Sequence, residues 1–116
     1  MPEPRESIIV ADIRKDLGME DDLVLWRLGQ GVGERGGRFF RGGMIPGASD
    51  LIGILTVDGR GIFVAFEVKR AKGGVLSGRQ KLFLSLVRKM GGFAAAVRSV
   101  EEARAALERA RAGESE

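Results

Sequence analysis

The chain has 116 residues, 44% of them hydrophobic, enough for one ordinary core; a single domain is expected over 1–112, with a frayed tail at 113–116. Cysteine, histidine and tyrosine are all absent, which excludes disulfides, thiolate or imidazole metal ligands, an imidazole base and a phenolic nucleophile. Lys and Arg outnumber Asp and Glu by 19 to 16, and the net charge of +3 mildly favours a polyanionic partner. Apolar runs fall short of the roughly 18 residues of a membrane span. The start, MPEPRESI, lacks the charged-then-apolar plan of a secretion signal, so a soluble cytoplasmic protein is expected.

In chain order, Ile8, Ile9, Ile13 and Leu17 approach the apolar spacing of an amphipathic helix over about 3–17, with Gly18 placed to end it. A short strand follows at 24–28, through Leu25 and Trp26. The next segment, GQGVGERGGRFFRGGMIPGAS, is too glycine-rich for core, and only Phe39 and Phe40 suggest local structure. A structureless loop of that length is uncommon in a compact domain. It reads either as a binding loop, with Arg35, Arg38 and Arg41 as contacts, or as a solvated flexible one.

Leu51–Val57 and 62–68 are apolar runs joined by the turn signal DGRG, which predicts an antiparallel hairpin. Ser77 can cap a helix over 78–90 whose inward face is expected to hold Leu82, Phe83, Leu86, Val87 and Met90, with Gly91 and Gly92 ending it. Phe93–Val97 is a short strand. Ser99 and Glu102 then form a capping-box pattern opening a last helix, with Val100, Ala103, Leu107 and Ala110 inward.

The chemistry-bearing stretch is FVAFEVK, a strand apolar enough to be buried on both faces that nevertheless ends in Glu67 and Lys69. At i and i+2 these two project from one side. In an antiparallel hairpin the start of one strand lies beside the end of the next, so Asp50 joins them. Two carboxylates at one sheet end suit a hard divalent cation bound through oxygen, with Lys69 placed to balance phosphate charge or orient a water. The same pattern is also what a salt-bridged sheet edge would show.

PGASD, then FEVK, resembles the PD-(D/E)XK nuclease motif, and GVLSGRQKLFLSLVRKMGG is similar to the G-x-L-S-x-x-Q-x-x-x-L-x-x-L-x-x-x-G signature of the VRR-NUC branch. The likeness covers about 6–102, with Ser49 standing where the family has a proline. It implies an α/β fold with a restriction-endonuclease-like core, order αβββαβα, and a central mixed sheet flanked by helices. It further implies a metal-dependent DNA endonuclease in which Asp50 and Glu67 ligate Mg²⁺ or Mn²⁺, the Val68 carbonyl completes the sphere, and Lys69 positions or activates the attacking water. Glu6 matches the acidic residue of the family's first helix, although a carboxylate there also suits the helix dipole. Gln80 matches the motif glutamine, and with Ser77 it equally satisfies a capping box. Small stand-alone members of the family imply a homodimer acting on branched DNA such as a four-way junction. A non-catalytic DNA-binding protein that keeps the fold, or a protein-binding module, is the alternative.

Overall fold

The computed structural model describes residues 4–28, 32–35, 38–41 and 47–116, the two short inner stretches by their backbone alone. Helix α1 (Glu6–Leu17) buries Ile9, Val10, Ile13 and Leu17 and leaves Ile8 exposed. The burial stripe is therefore rotated one residue from the expected one, because Val10 stands at i, i+3, i+7 with Ile13 and Leu17. Strand β1 (Leu23–Arg27) follows, and Leu28 just beyond it still donates its N–H to the Asp50 carbonyl at 2.9 Å.

The glycine-rich segment is not without regular structure. It contains two short antiparallel strands, β2 (Val32–Arg35) and β3 (Arg38–Arg41), that pair Arg35 with Arg38 and Val32 with Arg41. The expectation of a structureless loop is corrected: β-branched and aromatic residues between glycines are enough for a local ladder. These strands form a sheet of their own. The side chains of Arg35, Arg38 and Arg41 lie outside what the structure describes.

Strands β4 (Leu51–Val57) and β5 (Arg60–Val68) form the expected hairpin. Its turn places Asp58 at φ 50° and Gly59 at φ 77°, the two consecutive left-handed residues that a tight hairpin connection requires. Helix α2 (Gly78–Lys89) crosses over to β6 (Phe93–Val97), which runs parallel to β5, and α3 (Val100–Arg111) closes the fold. The main sheet has the order β1-β4-β5-β6, mixed in direction.

Its two faces bury different sets. On one, Leu51, Leu55, Val64, Phe66, Val68, Phe93 and Val97 pack against α1 and α3. On the other, Ile52, Ala65 and Ala94 meet Phe83, Leu84 and Val87 of α2. Among the described residues the result is an α/β sandwich of a four-stranded mixed sheet and three helices. Leu82, Leu86 and Met90, expected inward, are 72%, 46% and 77% exposed. Helix α2 carries apolar residues around more of its circumference than the sheet can cover, and contact with Ala65 and Ala94 selects the Phe83–Val87 side.

Arg111 at the end of α3 grips both oxygens of Asp22 at 2.8 Å and Glu20 at 2.9 Å, tying the last helix to the link between α1 and β1. The tail, expected to fray, lies against the sheet edge: the Ser115 carbonyl accepts from Ala94 N–H at 3.0 Å and Glu116 pairs with Arg88 at 3.3 Å. An edge strand offers open backbone groups, and the tail takes one of them. Among the described residues no helix is long and apolar enough to cross a membrane.

Candidate functional site

The antiparallel register sets Leu51 opposite Phe66, so Asp50, one residue before β4, stands beside the end of β5. Its carboxylate Oδ2 accepts from Val68 N–H at 2.9 Å, and its carbonyl accepts from Leu28. Asp50 is thereby fixed from β5 and from the residue just past β1. The N–H and C=O of one strand residue point to the same side, so the Val68 carbonyl also faces the Asp50 side of β5.

Glu67 is only 2% exposed. Its Oε1 accepts from Gln80 Nε2 at 2.8 Å and lies 3.9 Å from Lys69 Nζ. Its Oε2 is buried and, with the carboxyl ionised, has no hydrogen-bond partner. Burial pushes the Glu67 carboxyl up to about 8, helped by the charge of the Asp50 carboxylate beside it and by a hydrogen bond that the protonated form shares with Asp50, and opposed by Lys69, with Glu6 adding a small upward contribution. A carboxylate this deeply buried, with one oxygen unsatisfied, is costly unless something positive meets it.

Gln80 resolves its two sequence readings into one geometry. Its side-chain carbonyl accepts from Ser77 N–H at 2.9 Å while the Ser77 hydroxyl accepts from Gln80 N–H at 3.1 Å, a complete capping box. The amide nitrogen is thereby left pointing at Glu67. The cap at the start of α2 thus orients the glutamine and, through it, one oxygen of the buried carboxylate.

Glu6 reaches the same end of the sheet from α1, where its Oε2 accepts from Arg70 N–H at a long 3.4 Å. Its charge is felt at Glu67, while among the described residues no group of three or more acidic side chains is gathered closely enough to hold a metal by itself. The site is a pair of carboxylates with a third held to one side. An open cleft of about 350 Å³ adjoins it, lined by Arg5, Glu6, Lys69, Arg70 and the Gly73–Gly74 turn. A larger cleft, about 660 Å³, lies between α1 and α3 and shares no residue with the carboxylate end.

Comparison with protein families, with curated proteins and with solved structures finds no match. The arrangement of the chain's own residues therefore carries the functional argument.

Arg5 and Arg70 line the cleft beside Lys69 and were not singled out by the sequence reading. Arg70 follows the FEVK motif directly, so its adjacency to Lys69 was a usable signal. Arg5 directly precedes Glu6, which was a similar signal, although only the docking of α1 on the sheet brings both to this edge.

Proposed function

We propose that the chain is a metal-dependent DNA endonuclease with a PD-(D/E)XK core of the VRR-NUC type. The observation that carries the reading is the unsatisfied, buried Oε2 of Glu67 beside Asp50, with Lys69 on the same side of the strand. That donor set, hard oxygens at a place where negative charge is unfavourable without a counterion, fits Mg²⁺ or Mn²⁺. Asp50, Glu67 and the Val68 carbonyl would hold the ion, with Glu6 reached through water. When bound, the ion would polarise a phosphodiester and lower the pKa of a water.

The remaining roles belong to the side chains. Lys69 places a positive charge where the scissile phosphate gathers negative charge, and its ammonium can orient the attacking water by donating to it. Gln80 keeps Glu67 Oε1 occupied, which leaves Oε2 as the oxygen free for a cation. Arg5 and Arg70 supply the cleft with cations for flanking phosphates, and Arg35, Arg38 and Arg41 lie on the separate two-stranded sheet as further contacts. The chain works as a homodimer on branched DNA, two centres serving two strands.

The deciding experiment is cleavage of linear, flapped and four-way DNA substrates with Mg²⁺, Mn²⁺ or EDTA. Cutting that needs the metal and favours the four-way substrate is expected. Tight DNA binding with no cleavage in either metal would leave a non-catalytic binder that keeps the fold.

A further inference from the structure

Lys69 stands one residue past the end of β5, where the strand no longer holds it on both sides. Its N–H is still tied to the sheet by a 2.9 Å bond to the Val97 carbonyl of β6. Beyond it, residues 70–74 form a turn with Gly73 at φ 77°, and glycine-rich turns lose the most backbone freedom when fixed. Something must fix this one. The next residue after Val97 is Arg98, and its guanidinium donates from Nη1 to the Arg70 carbonyl at 2.6 Å and from Nη2 to the Gly74 carbonyl at 2.8 Å. The fork closes the turn at both ends. Arg98 is itself held at its backbone, where its N–H donates to Glu102 Oε1 at 3.0 Å.

The turn folds back onto the lysine. A Cβ placed on Gly74 would sit 3.1 Å from the Lys69 Cβ and 3.1 Å from the Arg70 carbonyl oxygen, so the Gly74 backbone lies against the root of the Lys69 side chain. That side chain is 11% exposed. We infer that Arg98 is a positioning residue: by clamping the Arg70 and Gly74 carbonyls it seats the turn against Lys69 and fixes the direction in which the ammonium projects. Arg98 touches neither carboxylate of the centre by any bond described above, so its effect runs through the turn. An arginine suits the task because a planar fork reaches two carbonyls at once, whereas a lysine offers a single point of charge.

The consequence for turnover rests on the nuclease reading, and the consequence for Lys69 itself does not, so the test has two arms. Arg98→Ala and Arg98→Lys are made in the full chain. In the first arm an amine-acylating reagent labels the protein without DNA or metal, and the rate at Lys69 is read by mass spectrometry against Lys15, Lys81 and Lys89. Several-fold faster labelling of Lys69 alone is expected in Arg98→Ala, with Arg98→Lys intermediate. In the second arm kcat is expected to fall roughly tenfold or more, as a displaced catalytic group does, with KM for DNA little changed. Lys15, Lys81 and Lys89 are already exposed and serve as reagent standards; a general loss of stability is read separately as a lower urea midpoint, and Lys69 labelling no faster than the unfolded fraction allows overturns the clamp.

Unchanged Lys69 labelling in both variants overturns the clamp. Faster labelling with unchanged turnover overturns its catalytic consequence. If Arg98→Ala does not fold, Arg98→Lys carries both readings. A wild-type chain that cuts no DNA removes the nuclease reading, and the labelling arm then decides the clamp by itself.

Discussion

Glu67 concentrates the energetic tension of the molecule in one side chain. In the unfolded chain its carboxyl titrates near 4.5 and in the fold near 8, so between those values the folded protein holds a proton that the unfolded protein has released. Stability from this group is complete below about pH 4.5 and lost as pH rises towards 8. At about 1.4 kcal/mol per pKa unit the loss is several kcal/mol at most. Asp22, drawn below its usual range by its bond to Arg111, has the opposite sign and loses its contribution as pH falls through the acid range. Urea unfolding of the metal-free protein is therefore expected to show a lower midpoint at pH 8.5 than at pH 5, a slope that Glu67→Gln flattens. Millimolar Mg²⁺ is expected to restore the midpoint at pH 8.5 in wild type and not in the variant, since a ligand of the folded state stabilises by mass action. A midpoint that rises with pH over this window would contradict the buried, unpartnered carboxylate. On the chemistry, Asp50→Ala and Glu67→Ala should each cut at least about a hundredfold more slowly while still binding DNA. Lys69→Met should lose rate with metal affinity retained, as calorimetry can tell. Near wild-type cutting by any of the three would displace the proposed centre.

At the scale of elements, the start of α2 does two things with one capping box. Ser77→Ala removes the hydroxyl that accepts from Gln80 N–H and is expected to cost about 1 kcal/mol in urea denaturation. Gln80→Glu keeps an oxygen for Ser77 N–H but turns the donor facing Glu67 into a carboxylate oxygen. Its cost should fall on cleavage and metal binding, with helix content by circular dichroism unchanged. Equal loss of stability in both variants, with cleavage unaffected, would leave Gln80 as a cap alone. The β2–β3 pair is the other element open to test. If its arginines meet phosphates, replacing Arg35, Arg38 and Arg41 by Gln lowers the log–log salt slope of duplex binding by about 0.9 for each phosphate no longer neutralised. A slope that does not move places these strands away from the DNA.

For the whole molecule, charge and size set the expectation. One chain has an excess of three positive charges, modest for holding a branched nucleic acid, and the proposed two-fold pair would double that surface and set two centres in symmetric relation. Light scattering at micromolar concentration should give twice the 12.5 kDa chain mass, and a four-way junction should be cut faster than a linear duplex of equal length. A monomer that cuts both equally would remove the dimer and the substrate preference together, leaving the metal centre to be judged by its own variants. The exposed row of Val24, Ile54 and Phe63, register partners across three strands, shows how much apolar surface the chain leaves uncovered.

The order of the main elements was legible in the chain because their signals are local: periodicity within a helix, the Asp58-Gly59 turn, Ser77 and Gln80 three residues apart. The meeting of Asp50, Glu67 and Lys69 followed for the same reason, since a tight turn fixes the register of both strands. The ladder within the glycine-rich segment was missed, its two strands being only four residues each and set among glycines. Tertiary structure alone decided the rest. Which side of α2 is buried depends on the sheet it meets. Arg70 receives Glu6 from 64 residues away and Arg98 from 28, through the docking of α1 and the parallel pairing of β6, contacts that no local pattern encodes. The unpartnered oxygen of Glu67 belongs to this second kind: a sequence can place a carboxylate at the end of a strand, but only the packing of α2 and its neighbours removes it from water.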